Sequence, residues 1–410
     1  MLRRTCPVDR RFAHDDWRGL VIICSGTSWD GPQLSDRHLA ERMTSYAPVL
    51  FVDPPISLLS PIRRTELRTS VREPRLRRIA DRLARLTPIA PPGVSRPVLR
   101  EVAMAVTRRA MRRAVRRLGG DVEAVIVGSL DDYFGACGER QKVLWGTDDF
   151  AAAGELMGVS PRWLRRRESD QLAKADVITA VSETLAGKWM ALGSRKVTVL
   201  PNGCDSRRFA SSQDAAPAED VRVPAPIALF MGHLSDRIDL RALESVAEAG
   251  LSLLLVGHRQ STFQLQRMER LLGRPNVQWV GPKSFFELRS YLGASAVGLT
   301  PYVDSAFNRS SFPLKTLDYL AAGLPVVSSD LPSARALGTD LVSVVATSDE
   351  FGPTAVRLAT EERPDDLAAR ARNFAAGHDW DVRVAEMAEL LGLRHAECRA
   401  ASSQGADDPA

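Results

Sequence analysis

Between residues 227 and 345 the chain alternates, with little variation, between short apolar runs and segments of helix length. The apolar runs are 227–231, 251–256, 277–280, 296–300, 326–328 and 341–345. Continuous rather than alternating apolar runs suit strands buried on both faces, and spacers of helix length suit the crossovers that parallel strands require. The first half has the same rhythm, with runs at 20–24, 49–52, 122–127, 142–145, 175–181 and 196–200. A chain of 410 residues exceeds one ordinary core. The pattern therefore predicts an α/β protein of two doubly wound, Rossmann-like domains with six strands each.

The boundaries follow from composition. Residues 1–205 form the N-terminal domain, and 206–226, rich in Ala, Pro, Ser and Asp, read as a linker. The C-terminal domain is expected over 227–376, a last helix over 377–396 and a disordered tail over 397–410. In open parallel sheets ligands bind at the carboxyl ends of the strands, so the loops after the apolar runs are where chemistry is expected.

The most informative of these loops precedes the run SSFPLKTLDYLAAGLPVVSSD at 310–330. Ser310, Ser311 and Pro313 lead into a predicted helix over 314–322, which Gly323 and Pro325 stop before a buried strand. Backbone N–H groups at the start of that helix, its dipole and Lys315 suit an anion such as a diphosphate. In the first half, Gly26, Thr27, Ser28 and Trp29 form the loop after the first strand. Their spacing lacks a G-x-G-x-x-G fingerprint, and a plain chain-reversing turn is the alternative. Asp131-Asp132 and Asp148-Asp149 lie at two further strand ends.

The pattern PLK-x-LDYLAAG-x-PVVSSDLP at 313–332, with PNG-x-D at 201–205, resembles the nucleotide-sugar site of family 4 glycosyltransferases, closest to the branch that builds bacterial cell-surface polysaccharides such as teichuronic acid. The resemblance covers most of the chain and is weakest over 56–120. It implies a GT-B fold, with donor bound by the C-terminal domain, acceptor by the N-terminal one, a cleft between them and a C-terminal helix crossing back. It also implies residue roles. Gly232, His233 and Arg237 follow the first strand of the donor domain, where the family holds the diphosphate with an Arg and a Lys. Gly281 and Pro282 contact the nucleobase through backbone groups, and Ser310, Ser311, Leu314, Lys315 and Asp318 complete the donor set. Residues 26–29 face acceptor and diphosphate. Asp148 and Asp149 are candidates for the base that takes the acceptor proton, with helix capping as the alternative for either. Ser310 and Asp318 stand where the broader family has two glutamates, which leaves both retention and inversion open.

The reading is a metal-independent transferase without a cofactor, moving a sugar from a UDP- or GDP-sugar to a saccharide or lipid-linked acceptor. A sugar-nucleotide epimerase of the same fold and a non-catalytic nucleotide-sugar-binding protein are the rivals. Charge suggests a further partner. The net charge is +5, yet 56–118 holds 17 Arg against 4 acidic residues. Helices expected at 74–86 and 98–118, with Val102, Val106, Ala110, Ala114 and Leu118 along one stripe, suit an anionic membrane surface. No aromatics interleave there, which disfavours nucleic acid. The five cysteines are scattered and the first apolar run is short, so a cytoplasmic, membrane-peripheral setting is expected.

Overall fold

The computed structural model describes residues 16–57, 75–92, 97–154, 160–194, 196–216, 218–312, 314–362 and 364–395. The expected tail over 397–410, Pro313 and residues 58–74 and 93–96 of the basic segment lie outside them. Two compact units are present. The first comprises Met1–Val181, Leu185–Leu200 and Val384–Ala410, the second Ser182–Thr184 and Pro201–Arg383.

The second unit is a six-stranded parallel sheet. Its strands are β9 (Ile227–Met231), β10 (Ser252–Val256), β11 (Val277–Trp279), β12 (Val297–Thr300), β13 (Val326–Ser329) and β14 (Val342–Val345). Their order is β11-β10-β9-β12-β13-β14. Sequence order reverses between β9 and β12, so the loops leaving those two strands diverge and open a crevice. Every residue of β9 and β10 is buried. One apolar cluster, including Leu229, Leu254, Leu317 and Leu320, packs one sheet face, and another, including Phe230, Leu243, Leu255 and Phe351, packs the other.

Helix Leu314–Ala321 is seated on the sheet by a close approach. A Cβ at Gly298 of β12 would lie 2.3 Å from the Tyr319 ring, so only glycine leaves room for it. The Tyr319 hydroxyl accepts from Met231 N at 2.8 Å and faces Leu299 O at 3.3 Å. These bonds fix the depth and rotation of the helix that carries Lys315 and Asp318.

Residues 206–226 are not a free linker. They contain helix Ser206–Ala210 and a single 3₁₀ turn, Ser212–Asp214. Asp220 holds Lys283 at 2.5 Å and the Tyr291 hydroxyl at 2.7 Å, while Phe209 and Val223 join the core. Low periodicity hid a segment anchored by a few specific side chains.

The first unit has eight strands rather than six: β1 (Leu20–Cys24), β2 (Val49–Val52), β3 (Leu76–Ala80), β4 (Leu83–Leu86), β5 (Val122–Val127), β6 (Gln141–Gly146), β7 (Val177–Ala180) and β8 (Thr198–Val199). They are ordered β3-β4-β2-β1-β5-β6-β7-β8, again reversing beside β1. The expected helix over 74–86 is the β3–β4 hairpin. Its tight turn puts Arg82 at φ 56°, β4 pairs parallel to β2, and β3 closes the edge antiparallel. Tertiary pairing overrides the arginine-rich helical spacing, and β3, with one face open, exposes Arg78 and Ala80.

Helix Pro97–Leu118 forms where expected, but its buried stripe is Ala103, Met104, Thr107, Met111, Ala114 and Leu118. The expected stripe through Val102 and Val106 is rotated by about one residue, leaving Val102 42% exposed. The last helix, Trp380–Leu390, starts in the second unit and ends in the first, where Leu391 O accepts from Gln141 Nε2 at 3.0 Å.

Candidate active site

In the second unit, β9 ends at Met231 and the chain runs through Gly232 and His233 to Arg237. The Arg237 guanidinium is held from three sides. Its Nε donates to Asn308 Oδ1 at 3.1 Å, and its Cζ lies 4.3 Å from the Phe307 ring centroid and 5.7 Å from that of Tyr302. Asn308, 2% exposed, is itself fixed because Nδ2 donates to Arg237 O at 3.0 Å and Val303 O at 2.9 Å. The partners come from the segment after β12 and the cation from the loop after β9, so the strand reversal brings them together. A fixed guanidinium at that place suits phosphate oxygens. The sequence places Asn308 on the way into the central loop but gives it no role, because its partner Arg237 lies 71 residues away in the chain.

His233 is exposed beside this arginine. Burial of its ring, then the charges of His258 and Arg237, lower its pKa below the ordinary histidine value. Gly257, at φ +139°, ends β10 against the same loop. A Cβ there would meet Gly232 O at 1.9 Å, and Gly257 N donates to Gly281 O at 2.9 Å. The loops carrying Gly232, Gly257 and Gly281-Pro282 are thus laced through backbone groups.

On helix Leu314–Ala321, Lys315 Nζ bonds Asp318 Oδ2 at 2.9 Å, with Asp318 nearly sealed from solvent. Burial disfavours both charges. Even so, the Asp318 carboxylate holds the Lys315 ammonium above its ordinary value, while burial, stronger here than the pull of Lys315, raises the Asp318 carboxyl. Leu314 opens the helix, its amide bonded to Phe312 O at 2.9 Å. Ser310 is buried at the end of the short helix Ala306–Ser310, and the Ser311 hydroxyl donates to Phe307 O at 2.9 Å.

In the first unit, Gly26 and Thr27 turn around Asp36. This buried carboxylate accepts from Ser25 Oγ at 2.6 Å and Gly26 N at 3.1 Å, and burial raises its pKa. Trp29, expected to face a substrate, is 8% exposed; its ring packs edge-on to Phe51 at 4.9 Å and under Arg37 at 4.6 Å. Its amide donates to Asp53 Oδ1 at 2.8 Å. Ser28 lies 3.4 Å from the buried Arg85.

The aspartate pair after β6 divides. Asp149 is 3% exposed, with Oδ1 accepting from Ala152 N at 2.9 Å, within the turn that follows, and from Lys188 Nζ at 2.7 Å. Lys188 also reaches Glu168 at 3.0 Å, which accepts from Trp189 Nε1 at 2.9 Å. Asp148 is half-buried and near enough to Asp36 to raise its pKa. Among the described residues, no three His, Cys, Asp or Glu side chains come together as a metal-ligand group.

The comparisons agree with this architecture. Residues 225–373 match the family model described as Glycosyl transferases group 1. The chain carries a group 1 glycosyltransferase domain. In Bacillus subtilis (strain 168), the protein named as the teichuronic acid biosynthesis glycosyltransferase TuaH is 26% identical over 260 residues. That match spans 61% of this chain and 65%, less than two thirds, of the relative. Sucrose-phosphate synthase from Thermosynechococcus elongatus superposes with a TM-score of 0.67 at 17% identity, over 91% of this chain and 98% of the other. Anabaena HepE in complex with UDP and glucose gives 0.65 at 14%, over 92% and 99%. WaaG, a glycosyltransferase involved in lipopolysaccharide biosynthesis, gives 0.60 at 14%, over 90% and 99%. The fold is GT-B.

Proposed function

We propose that this protein transfers a sugar from a nucleoside diphosphate sugar, with UDP as the preferred nucleotide, to a saccharide or lipid-linked acceptor in cell-surface glycan synthesis. The observation that carries the proposal is Arg237, set at the strand reversal of the group 1 domain and fixed by Asn308, Phe307 and Tyr302. The choice of UDP is supported by HepE, whose structures hold UDP, UDP with glucose and UDP-glucose. The choice of acceptor class is supported by TuaH and WaaG.

In this reading the acceptor hydroxyl attacks the anomeric carbon while the bond from that carbon to the diphosphate oxygen breaks. The bonding pair stays on the leaving diphosphate, whose charge Arg237, Lys315 and a protonated His233 offset. Fixed charges aimed at developing charge supply the largest part of many rate enhancements. Asp318 accepts from ribose hydroxyls. Asp148, half-buried after β6, takes the acceptor proton, with Asp149 as the alternative base. Charge neutralisation runs on these side chains without a metal, so EDTA should leave the rate unchanged; loss restored by manganese would overturn that part.

The acceptor's setting is an anionic membrane surface. Helix Pro97–Leu118 exposes Arg109, Arg112, Arg113, Arg116 and Arg117 behind the exposed Val98 and Val102. Such a cationic, partly apolar face suits lipid head groups. No described helix is long and apolar enough to cross a membrane.

The testing experiment supplies a panel of nucleotide sugars with a bacterial lipid extract and measures released nucleoside diphosphate. Release from UDP-sugars that depends on the extract supports the transferase. Conversion of the donor alone into its epimer, or nucleotide binding without turnover, would replace it.

A further inference from the structure

Arg85 is the feature of the first unit that a glycosyltransferase reading leaves unused. It sits in β4 with a side chain 0% exposed, beside Asp53, also 0% exposed, at the end of β2. Removing two charges from water costs several kcal/mol per ion, and a well-packed apolar pair often serves stability equally well. The bonds of this pair point to another purpose. Arg85 Nε donates to Asp53 Oδ2 at 2.7 Å, where the Thr87 hydroxyl also donates at 2.6 Å. The two remaining guanidinium nitrogens grip Asp30, each at 2.9 Å from one carboxylate oxygen, and one reaches Ser28 Oγ at 3.4 Å. Asp53 Oδ1 takes the amide of Trp29 at 2.8 Å. Three consecutive residues of the loop are therefore tied to one buried ion pair. Arg77 adds a weaker approach to Asp30 at 4.0 Å.

We infer that Arg85, braced by Asp53, is a positioning residue that presets residues 28–30 for the acceptor. The inference rests on the transferase reading, in which this loop meets the acceptor. Bidentate guanidinium–carboxylate geometry fixes direction as well as distance, and lysine, a point charge, cannot reproduce it. Misplacing a binding loop by about 1 Å costs on the order of 100-fold in rate.

Arg85→Lys and the gentler Asp30→Asn, at a residue 27% exposed, test the inference. Hydrogen exchange at the Trp29 amide reports the clamp without reference to activity, and steady-state kinetics report its use. Both variants should exchange that amide at least about tenfold faster and raise the acceptor KM by about tenfold or more. The donor KM should move less than the acceptor KM, because residues 28 and 29 are expected to face the diphosphate as well, and a single cooperative melting transition shows that Arg85→Lys still folds. Unchanged exchange in both variants overturns the clamp, and an unchanged acceptor KM, or equal shifts in donor and acceptor KM, overturns the positioning role. If the wild-type protein itself transfers nothing, the transferase reading is what fails, and the exchange experiment still decides the clamp.

Discussion

Lys315 Nζ lies 2.9 Å from Asp318 Oδ2, one turn away on the same helix. The lysine that a diphosphate would attract is thus already neutralising a nearly sealed carboxylate. Lys315→Met should leave Asp318 buried without its counter-charge and cost about 2–3 kcal/mol, less than a fully sealed pair because the lysine side chain is 27% exposed. Thermal melting should show a loss of about 5–10 °C. Adding Asp318→Asn should restore most of it; a double variant as unstable as the single one would mean that Lys315 contributes packing, not charge.

Arg237 is held by Asn308, so both residues should matter to nucleotide binding, to different degrees. Arg237→Lys keeps a charge but loses the planar fork and the stacking on Phe307. It should weaken UDP binding on the order of 10–100-fold, the value of hydrogen bonds to a charged group. Asn308→Ala leaves the guanidinium in place but less fixed, and a loss of a few-fold is expected. Calorimetric titration with UDP measures both, and equal affinities across the three proteins would remove this loop from the donor site.

The lowered pKa of His233 fixes the sign of its pH dependence. Burial, then the charges of His258 and Arg237, hold its pKa below the ordinary 6.5, so the unfolded chain binds the proton more readily. Its contribution to stability is therefore complete above 6.5 and is lost as pH falls through that value toward the folded pKa. A bound diphosphate favours the imidazolium, so UDP binding should take up protons and tighten as pH falls. His233→Gln should remove that component from both the melting curve and the proton uptake measured in two buffers. Identical uptake by variant and wild type would place the histidine away from the phosphates.

Much of this arrangement was legible in the sequence, because parallel strands buried on both faces leave continuous apolar runs. Residues 227–231 are β9 without adjustment. Residues 74–86 failed for a physical reason. Leu76, Ile79, Leu83 and Leu86 fit a helical stripe, and only pairing with β2, distant in sequence, decides for strands. That misreading hid Arg85, whose place inside the buried strand LARL becomes a question only once the strand is known. Composition does not show that Asp149 pairs with Lys188 of the helix Glu183–Ala191, which also reaches Glu168 of the helix Pro161–Lys174.

The arginine face of helix Pro97–Leu118 should bind anionic vesicles in a salt-dependent way. Replacing Arg112, Arg113 and Arg116 with Gln removes roughly 1 kcal/mol each near such a surface, so binding should fall on the order of 100-fold. Flotation with and without anionic lipid, at low and high salt, measures it. Binding that ignores lipid charge would contradict the electrostatic account.

The most direct measurement is thermal melting of the purified protein with UDP, GDP, dTDP, ADP and NAD in parallel, alongside Arg237→Ala. A ligand at 100 times its Kd adds about 2.7 kcal/mol, enough to raise the Tm by a few degrees. The account predicts that UDP alone gives that rise in the wild-type protein and that Arg237→Ala abolishes it. No shift with any nucleotide, or a UDP shift undiminished in Arg237→Ala, would contradict it.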